Sequence, residues 1–518
     1  MSKLVKKVVI VGGGSAGWLC AGLIAAEHSS DKDSGIEIVV IESPDVRPIG
    51  VGEGTWPTMR TTLKKIGISE TDFLMQCDAS FKQGSKFCGW VTGKEDDCYY
   101  HPFTIPHKYN NINLAEAWHT QQRHVPYADA VSFQSHLCEQ GLAPKQITTP
   151  EYEFFANYGY HLDAGKFATI LQKHCVDKLG VSHILDHVVE IKSAENGDID
   201  SLETKSNGSI EGDLFVDCTG SRSLLLGEHM GIPFVSRKDT LFIDSALAIQ
   251  VPYNTPDSPI ASQTLSTAQD NGWIWDIGLQ SRRGVGHVFS SAHTDAEKAE
   301  EKLRQYLDLN PGDMKNATEI RKIQFEPGHR QKFWHRNCVA VGMAAGFLEP
   351  LEASALVMVE QSAAMISEQL PANRDVMDIT AKRFNQTFLY HWDRVVEFLK
   401  LHYILSQRRD TDFWIDNCRP NSIPDNLQDM MQQWKFQAPW HHDLPRVDEL
   451  FPTASFQYVL YGMGFTTQFH STRRQTNYET QSQQCFKENA NKVQQLQGAL
   501  QSNRSLLEKI REFGLQEI

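Results

Sequence analysis

Val8–Glu27 reads VVIVGGGSAGWLCAGLIAAE. Val8, Val9, Ile10 and Val11 form the continuous apolar run of a strand buried on both faces. Gly12, Gly14 and Gly17 follow at G-x-G-x-x-G spacing, and an Ala/Leu-rich stretch of high helix propensity comes next. A dinucleotide pyrophosphate needs this order: glycines let the backbone approach the phosphates, and the helix start points bare N–H groups at them. The glycine motif alone is weak, but a strand before it and a helix after it supply the confirming context.

The neighbouring segments extend the pattern. Ser29–Gly35 is a polar loop, and Ile36–Ile41 (IEIVVI) is a second apolar strand ending at Glu42. An acid at that strand tip is placed to hold ribose hydroxyls, the inserted loop accounting for the long interval from the glycines. Pro48–Thr55 (PIGVGEGT) puts three glycines in a short span, as backbone passing close to a ligand requires. A helix is expected to follow from Pro57.

The chain has 518 residues, room for several cores or one large discontinuous domain. A net charge of −14 argues against a nucleic-acid surface, which needs clustered Lys and Arg. The sequence contains no apolar run long enough for a membrane span, and Val8–Val11 is too short for a signal peptide. The ten cysteines show neither C-x-x-C nor metal-ligand spacing, so the expectation is that most are buried, reduced thiols in a cytoplasmic protein without a metal.

Further along, Asp78–Trp90 (DASFKQGSKFCGW) alternates as one strand would, with Lys82 opposite Phe81. Residues 91–150 read as an irregular excursion. A helix is expected at Asp163–Leu179, and hairpin strands at His183–Ile191 and Ile199–Thr204 around Asn196-Gly197. Asp213–Gly220 (DLFVDCTG) is another apolar strand entering a polar turn. Gly272–Leu279 (GWIWDIGL) places Trp273 and Trp275 on one face of a strand, where core packing accounts for them as well as a site does. Cys338–Val341 leads into GMAAGFLEPLEASAL at 342–356, and the chain is mostly helical from Asp375.

GGGSAGW at 12–18, DCTG at 217–220 and GMAAGFLEP at 342–350 resemble the three FAD contacts of the monooxygenase-type flavoprotein fold. With GVGEGT at 50–55, FKQGSKF at 81–87, GWIWDI at 272–277 and FLEPLEAS at 347–354, the chain resembles the flavin-dependent tryptophan halogenases over nearly its whole length. That resemblance implies an α/β (α+β) fold: a Rossmann-like, three-layer FAD domain with a mostly helical C-terminal subdomain. The implied boundaries are a discontinuous FAD domain at 1–375, with a substrate-side sheet inserted at about 91–160 and 235–325, and the helical part at 376–518.

The resemblance also implies a chemistry. A separate flavin reductase supplies FADH2, O2 gives a flavin hydroperoxide, and chloride or bromide attacks it to give hypohalous acid. A lysine next to an electron-rich aromatic substrate receives that acid, assisted by a glutamate. By motif these catalytic residues are Lys82 and Glu352. Halide rests on amides near Ser354 and Ala355, and Trp273 and Trp275 separate flavin from substrate. FAD contacts fall on Gly12, Gly14, Ser15, Ala16, Gly17, Trp18, Glu42, Gly50, Val51, Gly54, Val188, Asp217, Gly342 and Leu356. Relatives suggest a homodimer.

The residue types suit those roles without the family: an ammonium can hold or carry the halogen, a carboxylate can take the arene proton, and backbone N–H groups can cradle an anion. Glu349 is read as an exposed acid favouring a helix dipole. The family's E-S-T-G is Glu352-Ala353-Ser354-Ala355 here, so Ala355 stands where glycine would tolerate positive φ. The tryptophan motif ends in Gly278 where the family has proline. The C-terminal part lacks the pattern that grips free tryptophan, so a larger indole or a phenol fits equally. Two other functions share these residues: an FAD-dependent aromatic hydroxylase, and a non-catalytic flavin-binding protein.

Overall fold

A computed structural model of the chain describes residues 4–28, 35–45, 52–94, 96–308, 317–470 and 477–517. Gly50 and Val51, expected in the cofactor site, lie outside these residues. The chain divides into two compact units, one of residues 1–79, 162–237 and 326–392, the other of 80–161, 238–325 and 393–518.

The first unit is built on a six-stranded sheet. Its order is Trp334–His335, Cys338–Ala340, Leu214–Asp217, Lys7–Val11, Glu37–Glu42, Ser182–Leu185, all parallel except the first pair. Val8, Val9 and Ile10 are fully buried, as their unbroken apolar run requires, each contributing about 1.5–3 kcal/mol. The Ser15–Glu27 helix packs against Ala164–Leu179 and Ser354–Glu368. The expected hairpin forms at Asn196-Gly197, but its first strand is Val188–Ser193. Residues 182–185 instead join the parallel sheet, because the Asp186 carboxylate, accepting from the Ser206, Asn207 and His187 amides, turns the chain between the two.

The second unit holds a seven-stranded sheet ordered Arg321–Gln324, Ser245–Pro252, Arg282–Phe289, Gly272–Gly278, Thr264–Gln269, Gly84–Cys88, Cys98–Pro102. All its pairs are antiparallel except Thr264–Gln269 with Gly84–Cys88. The single strand expected over 78–90 is two, Ser80–Lys82 and Gly84–Cys88. Gly84, at φ 153°, makes the break, and a Cβ there would stand 2.5 Å from the His101 carbonyl oxygen. Residues 393–518 are largely helical, including Thr453–Gly462, Tyr478–Ala499 and Asn503–Phe513. Tyr127, Tyr458, Tyr461 and Trp118 form an aromatic core.

Two of the ten cysteines stand apart from the reduced majority. Cys88 and Cys98 are joined by a disulfide, while the other eight cysteines are free. Direct opposition of the two residues across antiparallel strands brings their sulfurs together, a proximity invisible in their sequence spacing. No helix among the described residues is long and apolar enough to cross a membrane.

Candidate functional site

The first unit contains a cavity of about 580 Å³ at the carboxyl ends of its parallel strands, lined by residues 11–16, 41–43, 218–220 and 340–343. This is where open α/β sheets bind ligands, because the loops diverge there and helix N-termini point inward. The glycines divide the work. A Cβ on Gly12 would stand 2.2 Å from the Cys218 carbonyl oxygen, and one on Gly17 would stand 1.9 Å from that of Gly12. Those two glycines allow strand, turn and helix to touch. Gly14 has nothing within 4 Å of such a Cβ and lines the cavity, so its missing side chain leaves room for a ligand. The Ser15–Glu27 helix begins beside it without a side-chain cap.

The expected contacts sort accordingly. Gly12, Gly14, Ser15, Ala16, Glu42, Val188, Gly342 and Leu356 line the cavity. Glu42 faces the glycine turn, and His183 Nε2 lies 3.0 Å from its carboxylate. Gly17, Trp18, Gly54 and Asp217 do not line the cavity. Trp18 is turned into the core, edge-on to His183 at 5.2 Å. Asp217 is fully buried and accepts from the amides of Thr219, Leu225 and Leu226, so it shapes the turn that Cys218 and Thr219 present.

Several lining residues were not expected from the sequence. Phe384, Phe388 and Trp392 line the cavity from the Arg374–Ile404 helix; their i, i+4, i+8 spacing was a readable aromatic stripe. Asp186 and His187 reach it from the turn that ends the sixth strand, and no local motif marks them. Glu53 lines it too, its carboxyl pushed up to about 7 by burial and then by the nearby Asp163 charge.

The far wall is the 346–356 segment. Glu349 is buried and lines the cavity, which corrects the exposed position expected for it: Gly346–Phe347 pairs with Gly328–Arg330 and carries the chain inward. Glu352 is buried but does not line the cavity. It has φ 63° and ψ 5°, and Ala353 has φ 55° and ψ 43°. Two successive left-handed non-glycine residues cost about 1–2 kcal/mol each. The backbone strain anticipated at Ala355 therefore lies at 352 and 353, because Ala355 is already in the first turn of the Ser354–Glu368 helix. That helix has no side-chain cap, and Ser354 and Ala355 line the cavity at its start.

In the second unit, Lys82 is 1% exposed at the end of Ser80–Lys82. Its ammonium lies over the Phe103 ring, 5.3 Å from the centroid. The Phe103 amide donates to the Gln83 carbonyl at 3.0 Å, which holds ring and lysine together. Opposite, residues 159–161 pair with Ser80–Lys82. Burial, and then the Lys82 charge, holds His161 well below the usual imidazole range, so it is neutral and Nε2 meets the Thr264 hydroxyl at 2.8 Å. Trp273 and Trp275 share a strand face, ring centroids 6.5 Å apart. Trp273 packs near Trp90, and Trp275 packs over Gly286, where a Cβ would stand 2.1 Å from its ring. Among the described residues, no group of three or more His, Cys, Asp or Glu side chains could hold a metal.

A glycine-floored cleft at the carboxyl ends of a parallel sheet is the site of a dinucleotide-cofactor protein. A model of the tryptophan halogenase family matches residues 7–478, and the chain belongs to that family. It is 32% identical over 480 residues to the tryptophan 6-halogenase SttH of Streptomyces toxytricini, covering 88% of this chain and 89% of that protein. Its structure is similar to that of a tryptophan halogenase from Shewanella frigidimarina, at 50% identity and TM-score 0.96 over 100% of this chain and 99% of the other. It is also similar to BrvH, a flavin-dependent halogenase from Brevundimonas sp. BAL3, at 30% identity and TM-score 0.84 over 98% and 99% of the two chains. The α/β flavoprotein class, the enzyme class and the flavin cofactor expected from the sequence hold.

Proposed function

We propose that this protein uses FADH2, O2 and chloride or bromide to halogenate an electron-rich, indole-like aromatic, with Lys82 and Glu352 as its catalytic residues. The observation that carries the assignment is Lys82, an ammonium buried at a strand end beside a neutral histidine and against an aromatic ring. Burying a charge is costly, and active sites are one place where folds do so.

The cleft suits FAD. Gly14 would admit the pyrophosphate, the uncapped helix at Ser15 would face it, and Glu42, set by His183, would take the ribose. Bound reduced FAD supplies the two-electron activation of O2 that makes the halogen electrophilic. The Ser354 and Ala355 amides hold the halide. The Lys82 ammonium holds and polarises hypohalous acid beside the arene. As the second catalytic residue, Glu352 supplies a carboxylate of the kind that aromatic halogenation needs as a base. Trp273 and Trp275 wall the substrate side. A separate reductase supplies the flavin, and the reading includes a cytoplasmic homodimer, which sedimentation of the purified protein would test.

The decisive assay combines the protein with a flavin reductase, NADH, O2 and either halide, and analyses an indole and phenol panel by mass spectrometry. Halogenated product is expected, with turnover lost in Lys82→Ala at least 100-fold while FAD binding is retained. Hydroxylated product, or halogenation surviving Lys82→Ala, would falsify the assignment.

A further inference from the structure

The Glu352–Ala353 peptide is pinned at both ends within the first unit. Its carbonyl accepts from the indole N–H of Trp56 at 2.7 Å, a buried bond between residues 296 positions apart. Its N–H donates to the Pro350 carbonyl at 3.0 Å. This one peptide lies between the two left-handed residues, Glu352 and Ala353. Neither residue is glycine, so the conformation needs outside support.

Trp56 is firmly seated. It stands at the start of the Thr58–Ile66 helix, and the Met59 amide donates to its carbonyl at 3.1 Å. Thr58 and Thr62 on that helix donate to the two oxygens of Glu360, at 3.2 and 2.6 Å. Glu360 lies on the Ser354–Glu368 helix, whose first turn offers Ser354 and Ala355 to the cavity. The 58–66 helix thus grips that helix twice, by its body through the threonines and by its leading turn through the indole.

We infer that Trp56 is the positioning residue for the halide: its N–H holds the Glu352–Ala353 peptide in the orientation that keeps the Ser354 and Ala355 amides turned to the anion. The inference rests on reading those amides as the halide site. Trp56 touches no reacting atom, and its action passes entirely through the backbone.

The test compares wild type with Trp56→Phe, Ala353→Gly and the double variant. Phenylalanine keeps a ring and deletes the donor. Loss of one hydrogen bond predicts a halide KM raised about five-fold in Trp56→Phe, with FAD affinity changed less than about two-fold. Glycine adopts the left-handed conformation without steric cost, so the double variant should return halide KM to within about two-fold of wild type. Chloride NMR line broadening on the FAD-loaded protein, without reductase or substrate, should follow the same order. An unchanged halide KM and line width in Trp56→Phe overturns the inference. A loss shared equally by FAD affinity and unrelieved by Ala353→Gly also overturns it, since that marks general damage. If wild type yields no halogenated product, the functional assignment fails instead, and the line broadening still decides the role of Trp56.

Discussion

Gly14 and Gly17 belong to one motif but have opposite mechanical duties. Gly17 is needed by the fold, because a methyl group there would overlap the Gly12 carbonyl oxygen. Gly14 is needed by the ligand, because only the cavity lies beyond it. Gly17→Ala should therefore lower the thermal midpoint of the apoprotein by several degrees, a backbone clash costing on the order of 2 kcal/mol or more. Gly14→Ala should leave that midpoint unchanged and weaken FAD at least about ten-fold in a flavin fluorescence titration. Equal midpoints for the two variants would refute the division. Both glycines were legible as a motif, and only the neighbours in space separate their roles.

Helix-to-helix contacts carry a pH dependence. Burial pushes the Glu360 carboxyl up to about 8, with the Thr58 and Thr62 hydroxyls partly offsetting it. A folded-state value raised above the unfolded one means that the folded protein holds a proton the unfolded chain releases. This contribution to stability is complete below the unfolded value of 4.5 and is lost as pH rises toward 8. Glu360→Gln should flatten the decline in thermal midpoint between those limits and be the more stable protein at the alkaline end. An unchanged slope would show that Glu360 does not titrate there.

The Gly84–Cys88 and Cys98–Pro102 strands are joined covalently as well as by their ladder. Alkylation of the denatured, unreduced protein should modify eight cysteines, and all ten after reduction. The disulfide ties two strands whose other ends lead side by side to Lys82 and to Phe103. The alternation over 78–90 was legible, but the break at Gly84 was not, because its cause is the carbonyl of His101 on another strand.

For the whole molecule, the division of labour between chain and cofactor is testable. With chemically or photochemically reduced FAD, O2 and halide, the protein should form product without any reductase. With NADPH and oxidised FAD alone, it should form none. Turnover from NADPH alone would point to a one-component oxygenase.

The sequence by itself determined the parallel strand, the glycine turn, the second strand with its terminal acid, and the order of motifs that marks a flavin-dependent halogenase. These are local: apolar runs dictate burial, and glycine spacing dictates backbone approach. Tertiary structure alone decided which residues face the cavity. Asp217 turned to its own loop, Glu349 inward, and Glu352 and Ala353 into left-handed conformations. It also decided the Cys88–Cys98 bond and the Trp56 contact, which spans 296 residues. Such features depend on which atoms meet after folding, and no spacing along the chain encodes that.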